Sequence, residues 1–139
     1  MNEVAGALRV SIGLLLRRMR QTRADGELTL PESSALTRLD RGGPATAGAL
    51  AKQEQISPQS MGATLAALEA KGLIGRRPDP GDGRRAVLSV TEAGSRLLRD
   101  KRNARTEQLA KALSAGFTPA EIQLLAAASP LLERLAESI

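Results

Sequence analysis

The chain has 139 residues, 42% apolar and 25% charged, with 20 Lys+Arg against 15 Asp+Glu for a net charge of +5. That length suits one compact domain, and that balance suits a soluble globular protein with enough aliphatic side chains to build a core. The absence of Cys and His excludes thiol nucleophiles, disulfides, Cys/His zinc sites and an imidazole base, and a single aromatic residue, Phe117, excludes base stacking on aromatic platforms.

Leu8, Ile12, Leu15, Leu16 and Met19 recur at helical spacing and predict a long amphipathic helix over residues 4 to 24, closed by Gly26. Its apolar run, Val10 to Leu16, is interrupted by Ser11 and Gly13 and flanked by Arg9, Arg17 and Arg18. That is far short of the roughly 20 residues of a bilayer span, so no membrane crossing is expected. Glu3 before the run and arginines after it oppose an export signal, which makes the cytoplasm the expected location.

Leu30-Pro31-Glu32 opens a second helix, with Pro31 in its first turn and Leu36 and Leu39 facing inward; Arg41-Gly42-Gly43-Pro44 ends it. Thr46 is placed to cap a short third helix, Ala47 to Gln53, which buries a narrow face around Leu50. Ser57 and Pro58 begin a fourth, in which Met61, Leu65 and Leu68 follow at spacings of four and three until Gly72 stops it. Leu73 to Arg77 and Arg85 to Val90 then read as two extended segments around Pro78-Asp79-Pro80-Gly81-Asp82-Gly83, a hairpin with a six-residue charged tip. Thr91-Glu92-Ala93-Gly94 starts a long polar helix to about Ala115. Thr118-Pro119-Ala120-Glu121 is a capping box for a last helix to about Ser138, apolar on more than one side through Ile122, Leu124, Leu125, Leu131, Leu132 and Leu135.

Charge is uneven along this plan. Residues 57 to 105 hold 10 basic and 5 acidic side chains, against 8 and 6 before them and 2 and 4 after, and 16 of the 20 cations are Arg. The middle segment is therefore the one expected to meet a polyanion. No Gly-rich phosphate loop after a strand, Ser nucleophile elbow or carboxylate cluster is present, so no enzyme, cofactor or metal chemistry is expected.

A short helix, a tight turn, a second helix opening on small polar residues and a basic hairpin form a winged helix-turn-helix, whose second helix enters a major groove. In Leu50-Ala51, Ser57, Leu68-Glu69-Ala70-Lys71-Gly72-Leu73-Ile74, Arg76-Arg77-Pro78-Asp79-Pro80-Gly81-Asp82-Gly83-Arg84 and Ser89-Val90-Thr91-Glu92-Ala93-Gly94, the sequence resembles the MarR transcriptional regulators. The likeness is dense over residues 46 to 94 and, in helix order, covers the chain. The expected architecture is mainly α with a small β-hairpin wing: a winged helix-turn-helix over residues 30–90, a connecting helix over 91–115, and dimerisation helices over 1–28 and 116–139.

Ser57, Pro58, Gln59 and Ser60 put polar groups and unsatisfied amides at a helix start, where Gln59 can pair bidentately with adenine. Lys71, Arg76 and Arg77 are the expected phosphate contacts, with Arg85 beside them in the wing. The resemblance implies that Arg84 enters a minor groove, its guanidinium held by Asp82. Family members commonly carry Thr and Arg where Gly62 and Ala63 stand here, so two polar readers are missing from the groove-facing side. The mid-helix glycine points either to a close backbone approach or to tolerance of a poor position.

The resemblance further implies a homodimer whose terminal helices interdigitate through Leu8, Ile12, Leu15, Ile122, Leu125, Leu132 and Leu135, presenting two recognition helices to a pseudo-palindromic duplex operator. It also implies a small-molecule effector in a cleft between the dimer helices and the DNA-binding lobe, where this sequence offers Arg17, Arg18 and Arg20. The expected function is a sequence-specific repressor released by a ligand. A winged-helix interaction module without specific DNA binding is the alternative.

Overall fold

The computed structural model describes residues 1–21 and 28–139; the expected helix end at residues 22 to 24 and its Gly26 stop lie outside them. The chain forms two compact units, Met1–Arg99 and Asp100–Ile139. In chain order the elements are α1 (Asn2–Gln21), α2 (Leu30–Gly42), β1 (Ala45–Thr46), α3 (Ala47–Glu54), α4 (Pro58–Ala70), β2 (Ile74–Asp79), β3 (Asp82–Val90), α5 (Glu92–Gly116) and α6 (Pro119–Glu137). None of these helices is long and apolar enough to cross a membrane.

Side-chain caps set the helix starts. The Thr29 hydroxyl accepts from the Glu32 N–H and the Glu32 carboxylate accepts from the Thr29 N–H, each at 3.3 Å, a capping box that starts α2 one residue ahead of the leucine that sequence reading took as its opening. Thr46 caps α3 by accepting from the Ala49 N–H. Gln55 ends that helix in the left-handed region, φ 57° and ψ 42°, which turns the chain sharply into α4. The Ile56 N–H returns to the Ala51 carbonyl at 3.1 Å across this turn.

The strands form one antiparallel sheet in the order β1-β3-β2. β1 is a strand that periodicity did not reveal: two residues, Ala45 opposite Leu88 and Thr46 opposite Val87, are too few to show alternation. The hairpin departs from expectation too. Pairing runs in register from Ile74 opposite Val90 to Pro78 opposite Ala86 and then shifts, so that Asp79 stands opposite Asp82 and the tip is Pro80-Gly81, not six residues. Two carboxylates make the short tip possible: Asp79 Oδ1 accepts from the Gly81 N–H, and Asp82 Oδ1 from the Arg84 N–H, each at 3.0 Å.

One core organises the first unit. Ala35, Leu36 and Leu39 of α2, Leu50 and Ala51 of α3, Met61, Leu65 and Leu68 of α4, and Ile74 and Leu88 of the sheet are all buried. Fully burying a Leu or Met contributes about 1.5 to 3 kcal/mol. α5 joins this core through Leu98 and through Gly94, where a Cβ would stand 2.3 Å from the Leu73 carbonyl oxygen, so only glycine lets the helix approach the chain at the start of β2. Thr91 anchors the same corner, donating its hydroxyl to the Gly72 carbonyl at 2.7 Å and its N–H to that of Leu73 at 3.0 Å.

In the second unit, α6 opens on the expected capping box of Thr118 and Glu121. It buries none of its residues and contains Pro130. The hydroxyl of Ser129 donates to the Leu125 carbonyl at 3.0 Å, one turn back.

Candidate nucleic-acid interface

α4 has two faces because its apolar residues fall three and four apart. Met61, Leu65 and Leu68 are buried, which leaves Gln59, Gly62 and Ala63 exposed on the outer side. The Ser57 hydroxyl caps the helix by accepting from the Ser60 N–H at 3.1 Å and donates to the Ser60 hydroxyl at 3.0 Å. Ser57, Pro58, Gln59 and Ser60 are all exposed, so the first turn presents an amide edge and one long polar side chain to solvent. Nothing lies within 4 Å of where a Gly62 Cβ would be, so no close backbone approach within the chain explains this glycine.

The wing is basic and partly self-neutralised. Arg85 reaches Asp79 at 3.4 Å and Asp82 at 3.6 Å. This corrects the expected partnership: Asp82 holds the backbone of Arg84 and the guanidinium of Arg85, not that of Arg84. The two arginines lie where the pairing shifts register between Ala86 and Asp82, and there one Asp82 oxygen, Oδ1, is taken by the Arg84 N–H while the other, Oδ2, lies 3.6 Å from the Arg85 guanidinium. Among the described residues the Arg84 and Arg77 guanidinium groups carry no ion pair, and both side chains are exposed.

Two expected phosphate contacts are engaged. The Arg76 Nε and Nη2 both lie 3.2 Å from Glu69 Oε2. The Lys71 ammonium donates to Glu32 Oε2 at 2.7 Å, and that hydrogen bond holds the Glu32 carboxyl below its ordinary value although burial acts the other way. The Ser34 hydroxyl donates to Glu54 at 2.7 Å and Arg38 pairs with the same carboxylate, tying α2 to the end of α3.

Sequence reading missed Lys52. It stands exposed on α3 beside a groove of about 550 Å³ that Arg76, Arg85, Ala86 and Leu88 also line. A lone Lys in a short helix carries no signal of such a site; only the packing of α3 against the sheet assembles it.

A model of the MarR family matches residues 28–86, the stretch that holds this helix pair and most of the wing. An HTH-type transcriptional regulator of Mycobacterium bovis is 36% identical over 134 residues, covering 96% of this chain and 93% of its own. The chain belongs to the MarR family. A crystal structure of a Pseudomonas aeruginosa protein described as a transcriptional regulator superposes with a TM-score of 0.80 at 35% identity, covering 97% of this chain and 94% of that one. The structure of Bordetella bronchiseptica BpsR, described in terms of regulation of its DNA binding by 6-hydroxynicotinic acid, shares 25% identity over 96% of this chain and 92% of its own, with a TM-score of 0.58. Against these MarR relatives the winged helix-turn-helix fold is the common element, and the first and last helices lie within the covered length.

The residues expected at a dimer contact are placed as follows. Ile12 and Leu15 of α1 and Leu125, Leu132 and Leu135 of α6 are 38 to 50% exposed, and Leu8 and Ile122 are half-buried. Val4, Val10, Leu14 and Leu16 of α1 and Leu124 and Leu131 of α6 are exposed as well. Arg17, Arg18 and Arg20, expected near an effector, are exposed on α1.

Proposed function

We propose that this MarR-family regulator is a sequence-specific duplex-DNA repressor that acts as a homodimer and releases its operator when a small molecule binds. The observation that carries the reading is the exposed first turn of α4, with Gln59 outward and Met61, Leu65 and Leu68 locked inward. A helix presented in this way inserts its N-terminal turn into a major groove, while the guanidinium of Arg84, without an ion pair among the described residues, suits the adjacent minor groove. Arg77, exposed and unpaired among the described residues, supplies phosphate contact, with Ser57, Pro58 and Ser60 positioning the helix.

Two such helices, brought together by the apolar surfaces of α1 and α6, would address half-sites one turn of the duplex apart. A dimer seated across a promoter blocks polymerase, which is the basis for repression. Release by a ligand draws support from the description of BpsR. Gly62 and Ala63, which offer no polar reader, favour a second reading in which the wing serves protein contacts without specific DNA binding.

Selection of bound fragments from the source genome, followed by mobility shifts at low and physiological salt, separates the two. Recovery of a pseudo-palindromic sequence bound about a thousandfold better than random duplex supports the repressor. Equal recovery of all fragments supports the interaction module.

A further inference from the structure

Met61, Leu65 and Leu68 seat α4 through burial, which is non-directional, whereas hydrogen bonds weaken steeply with angle. Directional contacts therefore decide how the helix is tilted. The structure supplies them near both ends of α4, and in each case the partner is α2. Beyond the last turn, Lys71 donates to Glu32. Ahead of the first turn, the contact runs through Glu54, the final residue of α3. Its carboxylate accepts from the Ser34 hydroxyl at 2.7 Å and from Arg38 Nε, while Arg38 Nη2 donates to the Gln53 carbonyl at 3.4 Å. The next residue is the left-handed Gln55, and α4 begins at Pro58.

Helix preference alone does not place an acid there. A carboxylate in the last turn faces the negative end of the helix dipole, and this one is only 18% exposed, so partial burial adds to the cost. α2 offsets both terms with one hydroxyl and one guanidinium. An acid that is unfavourable to its own helix but bonded twice to another acts as a fastener between the two.

We infer that Glu54, held by Ser34 and Arg38, is a positioning residue for α4: it clamps the turn between α3 and α4 to α2 and so sets the angle at which Gln59 is presented. A bidentate base contact has to be aligned to about half an ångström and about 10 to 20°. Phosphate contacts from a long arginine such as Arg77 re-aim over larger shifts. A loosened clamp therefore weakens base reading and spares backbone holding. That consequence rests on the DNA-binding reading; the clamp itself does not.

Three variants of the full chain separate the clamp from charge and from stability. Glu54→Ala removes acceptor and charge, Glu54→Gln keeps an acceptor for Ser34 and Arg38, and Ser34→Ala removes a donor without changing charge. Each is titrated, at a temperature where circular dichroism shows it folded, with the duplex selected from the source genome and with a scrambled duplex of the same composition. Glu54→Ala should weaken the selected duplex by roughly tenfold, the worth of one misaligned bidentate pair, and the scrambled duplex by less than about twofold. Ser34→Ala should lose part of the preference, and Glu54→Gln should keep most of it. Equal losses on both duplexes, an unchanged preference in Glu54→Ala, or a Glu54→Gln that matches Glu54→Ala overturns the inference. If Glu54→Ala does not fold, Ser34→Ala decides, and an unchanged preference there overturns it.

A wild-type chain without preference between the duplexes removes the DNA reading, and hydrogen exchange then decides the clamp. The Ile56 N–H, bonded across the turn to the Ala51 carbonyl at 3.1 Å, should exchange faster in Glu54→Ala and at the wild-type rate in Glu54→Gln, with Leu36 and Leu65 unchanged in both. Exchange that rises everywhere, or nowhere, overturns it.

Discussion

The carboxylate of Glu32, 6% exposed at the first turn of α2, accepts a 2.7 Å hydrogen bond from the Lys71 ammonium at the end of α4. The same carboxylate closes the capping box with Thr29, so one side chain starts one helix and fastens the end of another. Lys71→Ala strands a buried charge, and because the ammonium side is 42% exposed the expected loss is about 1 to 3 kcal/mol, at the low end for buried pairs. Chemical denaturation measures it. The pH dependence has a definite sign. Glu32 is held below its ordinary value in the folded chain, chiefly by Lys71, so its contribution is full above the unfolded value and fades as pH falls through the lowered folded one. Glu54, lowered chiefly by the Ser34 hydroxyl, adds a term of the same sign. Glu32→Gln should therefore flatten the acid side of the stability profile.

Arg84 and Arg85 should separate in function. On the proposed reading the Arg84 guanidinium, without an ion pair among the described residues, enters a minor groove, so Arg84→Ala is expected to weaken operator binding by about 1 to 3 kcal/mol per subunit. Arg99→Ala, outside the wing, should change it little. Fluorescence anisotropy on one duplex compares them, and equal affinities for wild type and Arg84→Ala would remove the wing from the interface.

Gln59 and Arg77 should divide reading from holding. Gln59→Ala should relax preference at one base position of each half-site, whereas Arg77→Ala should lower affinity for every duplex and flatten the salt dependence by about one unit of slope. Binding to operator and random DNA across a salt series checks both. The pair fails if Gln59→Ala leaves the preference intact or if the Arg77→Ala loss is confined to the operator.

Two glycines should respond oppositely to alanine. At Gly62 a Cβ meets open space in an exposed helix interior, so Gly62→Ala should stabilise by up to about 1 kcal/mol. At Gly94 the Cβ would strike the Leu73 carbonyl, and Gly94→Ala should cost more than about 2 kcal/mol. Thermal unfolding of the two variants reads the contrast directly.

The apolar faces of α1 and α6 call for a partner surface. Light scattering at micromolar concentration should give twice the chain mass for the wild type, and Leu125→Glu or Leu132→Glu should shift it toward the monomer. A wild-type monomer removes the basis for two half-sites.

Most helix starts were legible because Thr46, Ser57, Pro58, Thr118 and Glu121 carry their capping chemistry within four residues. Thr29 obeys the same rule with Glu32, one residue ahead of the Leu30-Pro31 pair that reads as the opening. What escaped reading depends on distant partners. β1 exists only because β3 arrives to pair with it, and Lys71 turns from a phosphate ligand into a tether only because Glu32, 39 residues earlier, is buried beside it. In the wing, composition marked the turn, but the division of Asp82 between the Arg84 backbone and the Arg85 side chain is a matter of turn geometry where the pairing shifts register. The groove beside Lys52 joins α3 to both long strands, and no local pattern encodes it.

Pro130 gives α6 a seam. Lacking an amide proton, it leaves the ladder of backbone bonds one rung short, midway between Leu125 and Leu135. In kinetic terms the helix is a chain with one weak link: fraying that begins at Glu137 meets its lowest barrier there, and the segment from Leu131 onward can open without carrying Ile122 with it. Hydrogen–deuterium exchange on the isolated chain should therefore divide at this residue, with rapid exchange after it and slower exchange before it. Once another apolar surface covers Leu131, Leu132 and Leu135, the two halves should exchange at a common, slower rate, so that the timing of exchange across a single helix becomes a gauge of assembly.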